Sequence, residues 1–307
     1  MIHHARHDHF APVLLYGGAI IAVFLLSLIA SPMEGSRLGI IAPQKAKEET
    51  SALFTSKTFD TVTVRAKAYI VYDIVDEKII ASKNETAVLP LASISKIMMA
   101  MTARIHHDMK TTVTIGKIVP QGGFDLGLKK GQTWKLSELL KYTLVFSSND
   151  GAQAIANTFG GHALYVEQMN TDAALLGLAL HFTDPAGLDV NGKLGGEGTV
   201  LDVAKLLVAA RKRFPELLDA TTHARLTVTA STGKVSGIPN TNQVITNLSG
   251  AEASKTGFTD SAGGNLAVIV DITVGHPVAI VVLGSTRDER FSDVEILYNA
   301  LRKSVTP

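Results

Sequence analysis

The chain contains no cysteine, and that absence removes several chemistries at once. Disulfides, zinc–thiolate sites and cysteine nucleophiles are excluded. It says little about compartment, because an exported protein can do without cysteine. The chain also lacks an excess of either charge, with 29 Lys+Arg against 28 Asp+Glu. Nucleic-acid binding usually needs a clear basic excess or patch, so no nucleic-acid partner is expected. There is no internal repeat and no low-complexity segment. With 307 residues, 46% of them hydrophobic, the chain is long enough for one large globular domain behind an N-terminal extension.

Charge is missing altogether from one run, the 21 residues Ala11 to Ser31 (APVLLYGGAIIAVFLLSLIAS). A bilayer core needs about 20 apolar residues as a helix, and this run meets that length. A cleaved signal normally has a shorter apolar region and an A-x-A-like site. Here Leu28 would occupy a small-residue position if Ala30 preceded the cut. The run is therefore read as a transmembrane anchor, with a cleaved signal as the alternative. Orientation from flanking charge is weak, since Arg6 on one side faces Arg37, Lys45 and Lys47 on the other. Residues 1–10 form a short tail, whose histidines at 3, 4, 7 and 9 are read as polar rather than metal-binding. Residues 32–59 read as a linker, with a short helix near Ala46 to Phe54. The remaining residues, 60–307, read as the folded domain.

Within that domain, Val62 to Asp73 and Glu77 to Ser82 read as a β-hairpin. Apolar periodicity predicts helices over Ser93 to His106, Leu136 to Phe146, Asp150 to Phe159, Tyr165 to Leu178 and Val200 to Arg213. Strands return at Ala253 to Phe258, Leu266 to Ile272 and Pro277 to Leu283, before a closing helix over Ser292 to Lys303. Strands at both ends around a helical middle predict an α/β fold, with an antiparallel sheet packed against helices and an all-helical subregion. A doubly wound parallel sheet would need regular strand–helix alternation, which is absent.

Three short patterns carry chemistry. Ser93-Ile94-Ser95-Lys96 places a serine and a lysine three residues apart, on one helix face. A serine hydroxyl needs a base to take its proton, and a lysine packed among Ile97, Met98, Met99 and Met101 can serve. Ser147-Ser148-Asn149 lies in a loop between two apolar helices, where a hydroxyl and a carboxamide can relay a proton and hold an amide. Lys255-Thr256-Gly257, followed by Phe258, offers a positive charge, a hydroxyl and a residue that lets backbones approach closely. A strand there can bind a peptide by β-addition. Each pattern alone is common: a capping serine with a surface lysine, a polar turn, a basic strand end. Together, with gaps of 54 and 108 residues between Ser93, Ser147 and Lys255, they are specific. They make the triple found in β-lactamases and penicillin-binding proteins.

Longer stretches extend the likeness: AYIVYDIVDEKIIASKN, LPLASISKIMMAM, FSSNDGAQAIA, HFTDPAGLD, KTGFTDSAGGNLA and VVLGSTRDERFSDVEILYNAL. On these the chain resembles the D-alanyl-D-alanine carboxypeptidase family of low-molecular-mass penicillin-binding proteins, from about Ala68 to Leu301. The resemblance implies a serine β-lactamase/penicillin-binding-protein-like fold. It implies Ser93 as nucleophile, Lys96 as base and Ser147 as proton relay. Asn149, Lys255, Thr256, Gly257, Phe258 and Arg290 are implied to bind substrate, with Thr256 and Arg290 on its terminal carboxylate. Arg287 lies close enough to compete with Arg290 for that role. The backbone N–H groups of Ser93 and Phe258 are implied to form an oxyanion hole. No metal and no organic cofactor is implied. The implied partners are a peptidoglycan stem peptide ending in D-Ala-D-Ala and β-lactams as inhibitors, which places the catalytic domain outside the cytoplasm.

Only a few residues follow the expected closing helix, so the C-terminal β-domain of larger members is not expected here. Shorter members include D,D-endopeptidases, so both reactions stay open. A class A β-lactamase also needs a deacylating glutamate, and no E-x-x-L-N-like segment occurs between Asn149 and Lys255. A non-catalytic relative that binds peptidoglycan is expected to have lost Ser93 or Lys96. His181 and Asp184 are read as shaping a turn near the pocket, and Trp134 as packing.

Overall fold

A computed structural model of the chain describes residues 53–116 and 128–305. The tail, the apolar run, the linker up to residue 52 and most of the expected short helix near Ala46 lie outside these residues. Among the described residues no helix is long and apolar enough to cross a membrane.

The described chain begins with a 3-10 turn, Ser56–Phe59, followed by β1 (Ala68–Asp73) and β2 (Lys78–Lys83). A short β3 (Leu89–Pro90) leads to a second 3-10 turn, Ala92–Ser95, and then to α1 (Lys96–His106). Next come β4 (Thr112–Thr114), β5 (Thr133–Lys135), α2 (Leu136–Phe146), α3 (Asn149–Thr158) and α4 (His162–Leu175). The short strands β6 (His181–Phe182) and β7 (Gly196–Gly198) precede α5 (Val200–Arg213) and α6 (Pro215–Asp219). A hairpin of β8 (Arg225–Ala230) and β9 (Gly233–Pro239) follows. The last third is β10 (Ala251–Thr259), β11 (Gly263–Thr273), β12 (His276–Ser285) and α7 (Glu289–Ser304).

Strands from the two ends of the sequence meet in one five-stranded antiparallel sheet, ordered β10-β11-β12-β1-β2. Its central strands are buried on both faces, and their side chains divide with period two. In β12, Ala279, Val281 and Leu283 join the core on the helical side. Val278, Ile280 and Val282 join the core under α7. In β1, Ala68, Ile70 and Tyr72 face the first core, while Tyr69 and Val71 face the second. This two-sided burial explains why these strands read as apolar runs rather than alternating ones.

The expected antiparallel sheet against helices is present, with differences in detail. The expected first strand, Val62 to Asp73, starts only at Ala68. Upstream, the Arg65 and Ala66 N–H groups donate to the Asp293 carboxylate, both at 2.9 Å, so a side chain of α7 takes the place of a strand partner. The helix expected to end at Leu178 stops at Leu175, where Gly177 turns the chain at φ 70°. The β8–β9 hairpin was not expected.

Candidate active site

The turn that carries Ser93 is built by strain and close packing. Ala92 has φ 49°, a left-handed conformation that L-residues avoid, and Ser93 follows it on the 3-10 turn Ala92–Ser95. In such a turn, residues three apart eclipse. Ser93 and Lys96 are so placed, and Lys96 Nζ donates to Ser93 Oγ at 2.9 Å. Lys96 is buried at the start of α1. It also donates to Asn149 Oδ1 at 2.8 Å and to the Ala186 carbonyl at 2.7 Å.

The loop between α2 and α3 divides its labour residue by residue. Ser147 sits at φ 62°, ψ 36°, closing α2 with a left-handed residue that is usually glycine. Ser148 caps α3, its Oγ accepting from the Gly151 N–H at 2.8 Å. Asn149 is the first residue of α3 and turns its amide oxygen to Lys96. The middle serine is therefore a helix cap, and the residues on either side of it face the site.

Edge strand β10 supplies the third side. Lys255 Nζ donates to Ser147 Oγ at 2.8 Å and to the Thr256 carbonyl at 2.8 Å. Burial, then the nearby charges of Lys96 and Arg290, hold the Lys255 amine well below its ordinary value of 10.5. A Cβ on Gly257 would come within 2.7 Å of the Leu91 carbonyl oxygen, so only glycine lets β10 lie this close to the Ser93 turn. Asn265 of β11 ties the two together by donating to the Pro90 and Leu91 carbonyls at 2.9 and 3.0 Å. Phe258, next along β10, is exposed.

The two arginines occupy different places. Arg290, in the first turn of α7, is buried and donates to the Gly257 carbonyl at 2.7 Å. Burial, then neighbouring Arg287, pushes its guanidinium down to about 10. Arg287 is exposed, with its guanidinium carbon 5.2 Å from the centre of the Phe258 ring.

Some residues at the site were not singled out by the sequence. Thr256 Oγ1 donates to Thr241 Oγ1 at 2.7 Å, so Thr241, from the segment after β9, supports the β10 hydroxyl. The Ala186 carbonyl has no side-chain signature at all. Its neighbour Asp184 is buried and bonded on both oxygens. His181 lies exposed on β6, and Trp134 is packed in the core, where its Nε1 donates to Gln132 Oε1 at 3.1 Å.

One face of the site thus holds a serine under a lysine with fixed acceptors, and the other a serine under a second, electrostatically strained lysine. Comparison with known proteins gives the family. Residues 55–287 match the family model of D-alanyl-D-alanine carboxypeptidases. The chain is 30% identical over 199 residues to the D-alanyl-D-alanine carboxypeptidase DacB2 of Mycobacterium tuberculosis, covering 64% of this chain and 67% of that protein. It is 29% identical over 250 residues to a D-alanyl-D-alanine endopeptidase of Escherichia coli, covering 79% and 77%. Penicillin-binding protein D2 of Listeria monocytogenes, solved with ampicillin bound, superposes with a TM-score of 0.69 at 28% identity, over 78% of this chain and 99% of that one. The chain belongs to the D-alanyl-D-alanine carboxypeptidase family.

Proposed function

We propose that this protein is a serine-type D-Ala-D-Ala carboxypeptidase that trims peptidoglycan stem peptides through an acyl-enzyme on Ser93. The observation that carries the reading is the 2.9 Å approach of Lys96 Nζ to Ser93 Oγ beside the Lys255–Ser147 pair. Neutral Lys96 takes the Ser93 proton as Oγ bonds to the carbonyl carbon between the two terminal D-alanines. The oxyanion forms against the backbone N–H groups of Ser93 and Phe258, a contribution of about 3–4 kcal/mol per donor in other enzymes. Lys255 donates to Ser147 Oγ, which leaves the Ser147 proton to pass to the departing amine. Ser147 is then reprotonated from the lysines, and the C–N bond breaks. Water attacks the ester with Lys96 again as base, and Ser93 is regenerated.

Asn149 and the β10 residues Lys255, Thr256, Gly257 and Phe258 hold the peptide along the strand. The terminal carboxylate goes to Thr256, in the positive field of Arg290 and Lys255. β-Lactams present the same carbonyl and carboxylate, so they acylate Ser93 as inhibitors. The apolar run Ala11 to Ser31 anchors the catalytic domain to the outer face of the cell membrane, a reading that rests on its length and lack of charge.

Labelling with a fluorescent penicillin tests the chemistry. The wild type is labelled and Ser93→Ala is not; equal label on both would sink the serine-enzyme reading. A defined pentapeptide muropeptide and a cross-linked dimer then separate the two reactions. Loss of one D-alanine from the pentapeptide marks the carboxypeptidase. Conversion of dimer to monomer alone marks an endopeptidase, the activity in the name of the E. coli relative.

A further inference from the structure

A neutral lysine amine has two N–H groups and one lone pair, and only the lone pair can take a proton. Where it points is decided by what accepts the two N–H groups. Around Lys96 Nζ stand Ser93 Oγ, Asn149 Oδ1 and the Ala186 carbonyl oxygen, at 2.9, 2.8 and 2.7 Å. The charged amine donates to all three; the neutral amine keeps Asn149 and Ala186 as acceptors of its two N–H groups, so the fourth tetrahedral direction is left to the lone pair, which then accepts from the Ser93 hydroxyl. The Ala186 carbonyl is therefore half of the device that aims the base.

That carbonyl belongs to a loop held by one side chain. Asp184 Oδ1 accepts from the Ala186 and Leu188 N–H groups at 2.8 and 3.1 Å. Its backbone carbonyl accepts from the Gly187 N–H at 3.1 Å. Gly187 has φ 75°, and a Cβ there would stand 1.9 Å from the Ala92 carbonyl oxygen, so the loop lies flat against the nucleophile turn. The other carboxylate oxygen, Oδ2, accepts from Gln153 Nε2 of α3 at 2.9 Å and from His162 Nε2 of α4 at 3.1 Å. A carboxylate only accepts, so His162 carries its proton on Nε2. Asp184 is 4% exposed, and its carboxylate makes four of these contacts.

We propose that Asp184 is a positioning residue for Lys96, holding the Ala186 carbonyl so that the lysine lone pair stays on Ser93, with Gln153 and His162 fixing Asp184 in turn. The proposal rests on the acyl-serine reading above. It separates two jobs of a carboxylate, negative charge and paired acceptor. Asparagine keeps the acceptor: its Oδ1 still takes the two loop N–H groups. Its Nδ2 meets Gln153 after an amide flip and His162 in the other tautomer. Alanine keeps neither.

The test is stopped-flow acylation by a fluorescent penicillin, resolved into a non-covalent dissociation constant and an acylation rate constant, with thermal melting alongside. Asp184→Ala is expected to lower the acylation rate constant about tenfold or more with the dissociation constant unchanged. Asp184→Asn is expected to stay within about threefold of wild type. Should Asp184→Ala not fold, the double variant Gln153→Leu/His162→Leu decides. It leaves Oδ1 on the loop and frees Oδ2, and is expected to slow acylation at least about threefold without weakening binding. Wild-type acylation in Asp184→Ala, or in the double variant when that one decides, overturns the proposal. An Asp184→Asn variant as slow as Asp184→Ala overturns it too, because charge and not acceptor geometry would then be at work. A wild type that is never acylated overturns the enzyme assignment itself, and this inference with it.

Discussion

At the residue scale the site is a collection of local compromises. Two non-glycine residues, Ala92 and Ser147, hold left-handed backbone on either side of the reacting space. Each costs about 1–2 kcal/mol relative to ordinary backbone. Lys255 is a third compromise, an amine 2% exposed with like charges nearby. Its folded pKa is depressed below 10.5, so between the two values the unfolded chain binds more protons. Stability from this residue therefore rises with pH through that window, and the penalty is complete below the folded value. Lys255→Met is predicted to lose acylation yet be more stable at pH 7 by about 1–3 kcal/mol. That gain should shrink as pH approaches 10.5, and urea unfolding at pH 7 and pH 10 measures it. An equal gain at both pH values would contradict the assignment. Arg290→Ala should act in the opposite sense. It leaves the Gly257 carbonyl without its donor and should cost about 1–3 kcal/mol by the same measurement.

At the scale of elements, function depends on how helices begin. Ser148 anchors α3 by its cap, and Asn149 is carried on the first residue that cap fixes. Ser148→Ala is predicted to lower stability by about 1 kcal/mol and to slow acylation, because Asn149 loses its support. Ser148→Asp, which keeps a capping oxygen, should restore both; thermal melting and penicillin labelling report the two effects. The helices α2 and α5 and strands β10 to β12 were legible as elements because their apolar spacing matches one period throughout. The Ser93 segment was legible only in part. Ser93 to His106 reads as one helix, yet its first turn is 3-10, since β10 and the Gly187 loop press on it from both sides. The β8–β9 hairpin was missed, although RLTVTA alternates before Ser231-Thr232. Most of its side chains face solvent, so burial gave the pattern little contrast.

At the scale of the whole molecule, the folded unit reaches upstream of Asp60. Phe54 bridges to Val305, its ring lies 5.2 Å edge-on from His276, and Phe59 is buried in the core under α7. Removing everything before Asp60 takes both rings away. Compared with a chain that begins before Phe54, such a truncation should unfold at least about 3 kcal/mol more easily. Equal urea midpoints for the two chains would refute this.

The sequence by itself determined which residues are candidates for chemistry. The three motifs marked Ser93, Lys96 and the strand opposite, because serine, lysine and asparagine bring fixed functional groups wherever the chain puts them. The order of strands and helices determined the architecture, because period-two and period-3.6 apolar patterns each suit one element. Only the tertiary structure decided which groups meet Lys96 and what each polar neighbour touches. The Ala186 carbonyl that meets Lys96 is backbone, which every residue has. Ser148 caps a helix while Ser147 meets Lys255, and the two are the same residue type side by side. Arg290 holds β10 while Arg287 stays exposed. Those assignments depend on chain segments up to 108 residues apart meeting within 3 Å, and no local pattern encodes such a meeting.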